Sequence, residues 1–329
     1  MVTGATGILG IRIVHDLLLR GETVRAMRRS NSDMAFVEKT LNFYGSGKTA
    51  QASIEWVEGD LIDTFTIESA VEGIQTIYHC AALVSYKKSD AKRLIKINEE
   101  GTANLVNAAL LANVKNLCHV SSVAALGVSK TGPTNENTVW SLENSTNYGL
   151  SKFLAEREAW RGSAEGLNVS VVNPSVILGP SKMDQSSGMF VDFLMKGSSF
   201  YPRGSVGMVD VKDVSEACIR SVELGKFNER FVLNAESLPY KSLLEIAARI
   251  FGNGSPKYPV PELVLEIVWR FLGVIRFFGF PINGITKETA RSVSRVSSYS
   301  SQKALANLAI EFRSVKESLN DIRRFHGIN

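Results

Sequence analysis

The stretch Val2-Thr3-Gly4-Ala5-Thr6-Gly7-Ile8-Leu9-Gly10 decides how the rest of the chain is read. Three glycines spaced by three stand between a short apolar run and an amphipathic segment, 11–20. In that segment Ile11, Val14, Leu17 and Leu18 fall on one helical face. A strand, a glycine turn and a helix in that order bring backbone N–H groups and a positive helix end up to a phosphate. Glycine is required there where φ is positive, where a side chain would block the phosphate, or where helix and strand pack closely. Gly4, Thr6, Gly7, Ile8, Leu9 and Gly10 are therefore the candidate phosphate-binding set.

Working outward, strand and helix signals alternate. Apolar runs at 23–27, 53–57, 74–80, 116–120 and 169–172 read as strands. Between them, helical periodicity covers 90–113 and 147–165, with weaker helices after the second and third strands. Continuous rather than alternating apolar strands mean a parallel sheet covered on both faces. The expected fold is α/β: a Rossmann-type doubly wound parallel sheet with a smaller, interleaved C-terminal substrate domain. The expected boundaries are 1–174 for the dinucleotide-binding domain and 175–329 for the substrate domain, with about 206–234 returning to the main domain. Beyond residue 174 the pattern is irregular: loops at 182–188 and 197–207, short strands at 209–211 and 231–233, and helices at 214–224 and 243–251.

Composition narrows the class. The 329 residues are 44% hydrophobic and 21% charged, as in a water-soluble globular protein, and the net charge is only +4. No block of like charge marks a nucleic-acid arm. Cys80, Cys118 and Cys218 are odd in number and widely spaced, which excludes a disulfide framework and fits a reducing cytoplasm. No signal peptide precedes the turn, and the first strand is short enough that a few residues are expected to be missing before Met1. The most apolar region, 260–280, is interrupted by Glu262, Glu266, Arg270 and Arg276, so no membrane span is expected. It reads as amphipathic helices packed on the body or a subunit contact, or as a membrane-surface helix.

In a doubly wound sheet, ligands bind at the carboxyl ends of the strands. The residues following each strand are Arg28 with Arg29, Asp60, Ala81-Ala82 with Ser85-Tyr86, Ser121-Ser122, and Asn173-Pro174-Ser175. Arg28 stands eighteen residues past Gly10, where an acid for the ribose hydroxyls of NAD would stand. A guanidinium instead pairs with a 2′-phosphate, so NADP is preferred, with NAD possible, unless both arginines are merely solvated at a strand end. Tyr148 and Lys152, four apart on a helix, point to one place. An ammonium there is expected to lower the phenol's pKa, so that Tyr148 exchanges a proton with a substrate oxygen hydrogen-bonded by Ser122. His15, His79, His119 and His326 have no ligand spacing, and no metal is expected.

These motifs together, Thr3-Gly-x-x-Gly-x-x-Gly10, Asp60-Leu61, Ala81-Ala82, Asn98 within Asn98-Glu-Glu-Gly-Thr102, Ser122 and Tyr148-x-x-x-Lys152, resemble the extended short-chain dehydrogenase/reductases, with the NAD-dependent epimerase/dehydratase group nearest. The resemblance spans the whole chain. It implies Gly4, Gly7 and Gly10 on the pyrophosphate, Asp60 and Leu61 at the adenine, and Ala81 and Ala82 along the cofactor. It implies Lys152 on the nicotinamide ribose, Asn98 supporting an active-site water or Lys152, and a homodimer through the long helices. Ser122 takes the catalytic role because it stands five before Gly127.

Ser121 to Gly127, Glu165-Gly166-Leu167 and Asn173-Pro-Ser-Val-Ile-Leu-Gly-Pro180 resemble the dihydroflavonol-reductase and 3β-hydroxysteroid-dehydrogenase-like branch. Leu126 and Val206 replace the tyrosine and the diphosphate-binding arginine common in sugar-nucleotide epimerases, with Arg203 the one candidate substitute. The expectation is an NAD(P)-dependent oxidoreductase acting on the carbonyl or alcohol of a small apolar molecule. Ser85, Tyr86, Met183, Met189, Phe190 and Phe193 are pocket candidates, each of which reads equally as core. A nucleotide-sugar epimerase or dehydratase, and a non-catalytic nucleotide-binding sensor, are the alternatives.

Overall fold

The computed structural model describes residues 1–47, 51–129, 131–183, 186–277 and 286–328. The first half runs β1 (Val2–Thr3), α1 (Ile8–Leu19), β2 (Val24–Arg28), α2 (Met34–Tyr44), β3 (Ile54–Glu58), α3 (Thr64–Val71) and β4 (Thr76–His79). It continues through α4 (Ala91–Ile95), a π-helical turn (Lys96–Glu100), α5 (Gly101–Leu111), β5 (Asn116–Val120), α6 (Asn147–Ala164) and β6 (Asn168–Pro174). The second half runs β7 (Val176–Leu178), α7 (Ser186–Lys196), β8 (Phe200–Pro202), β9 (Ser205–Asp210), α8 (Val211–Glu223), β10 (Glu229–Leu233) and β11 (Glu236–Pro239). It ends with α9 (Tyr240–Phe251), β12 (Tyr258–Val260), α10 (Glu262–Phe277), α11 (Lys287–Ser294), α12 (Gln302–Leu308) and α13 (Val315–Phe325).

Seven strands form one parallel sheet in the order β10-β6-β5-β4-β1-β2-β3. The order reverses between β1 and β4, which opens a crevice at their carboxyl ends. One apolar core lies on the face covered by α1 and α8, with Ile11, Val14, Val214 and Ile219 fully or nearly fully buried. The other face carries Ile67, Leu105, Val106 and Ala159 from α3, α5 and α6. Each branched side chain among them contributes about 1.5–3 kcal/mol by leaving water, and burial on both faces is why the central strands are largely apolar, whereas the edge strand β3 exposes Glu55 and Glu58. β10, from the second half, completes the sheet beside β6, with Phe231 paired to Val172.

A smaller lobe holds a β11-β9-β7 sheet and the β12-β8 pair. Its core joins Leu178, Leu194 and Met208 to the apolar faces of α9 and α13. Helix α9 places Leu243, Leu244, Ala247 and Ile250 inward at helical spacing and stops at Gly252, whose φ is +76°. Helix α13 starts with a capping box between Ser314 and Glu317.

The structure departs from the sequence reading in several places. Helix α1 begins at Ile8, so Gly10 lies inside the helix rather than before it. The 90–113 helix is divided by the π-helical turn that contains Asn98. The stretch 197–207 contains β8 and the start of β9, because paired strands there meet β12, β11 and β7 rather than solvent. Of 260–280, the last three residues lie outside the described residues. No described helix is long and apolar enough to cross a membrane.

Candidate active site

The glycine turn is built by close approach. Gly4 has φ +63°, and a Cβ there would lie 2.7 Å from the Ala81 nitrogen. A Cβ on Gly10 would lie 2.1 Å from the Gly4 carbonyl oxygen, so helix and turn touch only because it is absent. Gly7 differs: it lines the crevice, and a Cβ there would meet only the Gly4 oxygen, at 3.3 Å. Gly7 is also the N-cap of α1 and offers no side-chain cap, and the first turn carries no acid. By contrast Asp33, Asp63, Asp210 and Thr146 cap their helices. The end of α1 thus presents uncapped N–H groups to the crevice, the arrangement that accepts a phosphate.

That crevice is a cavity of about 1000 Å³. Gly4, Thr6, Gly7, Ile8, Leu9, Gly10, Arg28, Asp60, Leu61, Ala81, Ala82, Ser122, Tyr86, Tyr148, Lys152, Pro174 and Ser175 all line it. Arg29 and Ser181 line it as well. At the end of β2, the Arg28 guanidinium donates to Glu58 at 2.9 Å. The Arg29 side chain makes no ion pair or hydrogen bond among the described residues. Ser175 and Ser181 each hold a buried hydroxyl without a hydrogen-bond partner.

Tyr148 enters on the first turn of α6, which Thr146 caps by accepting from the Gly149 N–H at 2.9 Å. A Cβ on Gly149 would lie 2.7 Å from the Ala124 carbonyl oxygen. Glycine at that position is therefore what lets the helix press against the turn Val123–Ala125 that follows Ser122. The Ser122 hydroxyl accepts from the Ala124 N–H at 3.1 Å and lies near enough to the Tyr148 phenol to pull its pKa down. Tyr86 lies beside it, ring centroids 6.0 Å apart.

Lys152, one turn further on, is 2% exposed and donates to the Val120 carbonyl at 2.7 Å, its one hydrogen bond among the described residues. Burial pushes its ammonium down to about 8, opposed by the Glu156 carboxylate. The expected lowering of the Tyr148 phenol is not found. Burial and the neighbouring Tyr86 push it up, opposed by the nearby Ser122 hydroxyl, and the Lys152 ammonium donates to the end of β5 instead.

Other candidates lie elsewhere. Asn98 is buried below the cavity and does not line it. Its amide pairs with both backbone groups of Leu83 and donates to Ser151 at 2.9 Å, so it ties the loop after β4 to α6 without reaching Lys152. Asn173 also lies beneath the lining, donating to the Ser122 carbonyl at 3.1 Å and to Glu156 at 2.9 Å. Ser85 turns away to Asp90, at 2.6 Å. Met183 packs on the core of the small lobe, and Met189 is 56% exposed; neither lines the cavity, nor does Phe193, whereas Phe190 does.

Sequence reasoning missed Glu156. It is 3% exposed and accepts from Ser121 at 2.6 Å, Asn173 at 2.9 Å and Trp160 at 3.2 Å, and pairs with Arg230 at 3.1 Å. It also missed α11, whose Thr289, Ser292 and Val293 line the cavity. Glu288 of that helix accepts from the Asn147 side-chain amide at 2.8 Å, next to Tyr148.

A doubly wound sheet with an uncapped glycine turn at its switch point defines a nucleotide-binding α/β protein. Residues 1–233 match the NAD dependent epimerase/dehydratase family, and the chain belongs to that family. It is 31% identical to sterol demethylase protein B of Methylococcus capsulatus, over 81% of this chain and 78% of that one. It is 29% identical to a putative dihydroflavonol 4-reductase of Synechocystis, over 97% and 92%. The solved structure of gox2253 superposes with a TM-score of 0.81 at 30% identity, covering 99% and 98% of the two chains. Family and relatives support an NAD(P)-dependent enzyme of the oxidoreductase/epimerase type. A dinucleotide fits the site: uncapped N–H groups, a glycine edge without Cβ, unpartnered buried serines and a buried ammonium with hydrogens to spare all face one cavity.

Proposed function

We propose that the chain is an NADP-dependent carbonyl reductase, or alcohol dehydrogenase in reverse, for a small, largely apolar substrate. The observation that carries this reading is the convergence of Ser122, the Tyr148 phenol and the buried Lys152 ammonium, one helical turn from Tyr148, on a cavity wall that also holds Val84, Phe190, Val206 and Val293. When bound, the cofactor supplies or takes up the hydride.

The chain's residues do the rest. Ser122 orients the substrate oxygen by hydrogen bonding. Tyr148, kept protonated by burial, gives its phenolic proton to that oxygen as the alcohol forms. The Lys152 ammonium, held by the Val120 carbonyl, would offset the phenolate left behind and, with the cofactor bound, would hold its ribose. Unpartnered Arg29, with Arg28, supports a 2′-phosphate and hence NADP. Arg203 does not line the cavity, and Val206 does, which favours an apolar substrate over a sugar nucleotide.

The test is NADPH consumption across a panel of aldehydes and ketones. Tyr148→Phe is expected to lower kcat by about 10² or more while leaving NADPH affinity unchanged. Undiminished turnover would overturn the proton-transfer assignment.

A further inference from the structure

The charge of this protein is unevenly placed. Lys87, Lys88, Lys92, Arg93 and Lys96 fall within ten residues that contain one acid, Asp90. The excess in that segment equals the net +4 of the whole chain, so the remainder is balanced. All five cations are exposed. None of their side chains makes an ion pair or hydrogen bond among the described residues, whereas Asp90 is already engaged by Ser85 at 2.6 Å. Arginines elsewhere on the surface, such as Arg20, Arg25 and Arg161, sit on carboxylates.

The segment is also at the cavity. Tyr86, immediately before it, stands 6.0 Å from Tyr148, and Arg93 and Ile97 line the cavity one helical turn apart. The only acids in the lining are Asp33 and Asp60. Asp33 is tied to Lys182 at 2.7 Å, and Asp60 follows β3 on the far side of the sheet from β4. Among the described residues of the lining, no carboxylate is paired with Arg93.

We propose that Arg93, backed by Lys87, Lys88, Lys92 and Lys96, is a subsite for an anionic group, a carboxylate, sulfonate or phosphate, at the outer end of the substrate. This deepens the reductase reading and rests on it for the substrate's apolar body. The carbonyl end reaches Tyr148 and Ser122 while the anion stays at the mouth, where a guanidinium binds it in two-pronged fashion and the lysines raise its local concentration.

The test is equilibrium binding to NADP⁺-saturated protein, using the anionic probe 8-anilinonaphthalene-1-sulfonate and its neutral counterpart N-phenyl-1-naphthylamine. Arg93→Glu is expected to weaken the sulfonate about tenfold at low salt, by less at 1 M salt, and to leave the neutral probe and NADP⁺ affinity unchanged. Lys87→Ala/Lys88→Ala is expected to weaken the sulfonate about two- to threefold. Sulfonate affinity unaltered by Arg93→Glu, equal loss for both probes, or a loss confined to NADP⁺ would each overturn the subsite. UDP-glucose, titrated in parallel, separates the two readings. Tight binding abolished by Arg93→Glu would support the anion subsite and overturn the apolar substrate.

Discussion

At the scale of single residues, the chemistry turns on a charge that is costly to bury. Lys152 loses most of its hydration and keeps its proton only to about 8, and the Glu156 carboxylate is what holds it that high. In the proposed reaction the ammonium form is the one that would stabilise a Tyr148 phenolate. Carbonyl reduction is therefore expected to be level below pH 7 and to fall above about pH 8 as Lys152 deprotonates. Glu156→Gln removes the opposing charge, so the alkaline limb is expected to move down by about one pH unit, read from kcat against pH. Glu156 also holds Ser121, Asn173 and Arg230, so some loss of stability accompanies the change. A purely structural role would lower stability and leave the limb where it was. The sequence shows only an acid four residues after a lysine, the commonest pairing on any solvated helix. Apart from Trp160 on the same helix, its partners come from β6, β10 and the end of β5, which no local spacing reveals.

At the scale of elements, the glycine turn separates two kinds of glycine that look alike in sequence. The close approach at Gly10 and the open edge at Gly7 predict that Gly10 is required by packing and Gly7 by the ligand. Gly10→Ala places a methyl 2.1 Å from the Gly4 oxygen and is expected to cost about 1–3 kcal/mol, read as a lower urea midpoint. Gly7→Ala needs a shift of only a few tenths of an ångström. It is expected to leave stability within about 1 kcal/mol while weakening NADP⁺ binding, because its methyl stands at the phosphate edge. Equal stability losses in both variants would remove the distinction. The turn and the strands were legible because a buried parallel strand has to be apolar on both faces, as Val169, Val171 and Val172 are. The pocket wall was not. Met183 and Met189 sit seven and one residues from Phe190, yet only Phe190 reaches the cavity, because residue type says apolar without saying which face is covered. Helix α11 was unreadable for another reason: its place beside Tyr148 depends on Glu288 meeting Asn147 across 141 residues.

At the scale of the whole molecule, the sheet that supports the site contains an acid-sensitive feature. His79 on β4 pairs in register with His119 on β5, their rings 5.3 Å apart in the middle of the sheet. His79 is satisfied as a neutral ring between Thr3 at 2.7 Å and Thr102 at 3.1 Å. Both nitrogens of His119 are buried without a partner. Burial, with the Lys152 charge nearby, pushes His79 down to about 3 and His119 well below its usual value. The unfolded chain takes up these two protons near pH 6.5, and the folded chain does not take up the His79 proton until about pH 3. The unfolded state therefore binds more protons across that window, and stability falls as pH drops below 6.5. At pH 5 His79 is expected to cost about 2 kcal/mol relative to pH 7, with His119 adding to it in the same direction, seen as a lower urea midpoint at unchanged slope. His119→Leu removes one of the two without breaking a hydrogen bond, so the pH 7 to pH 5 loss is expected to shrink. A variant that loses as much stability on acidification as the wild type would place the sensitivity outside His119.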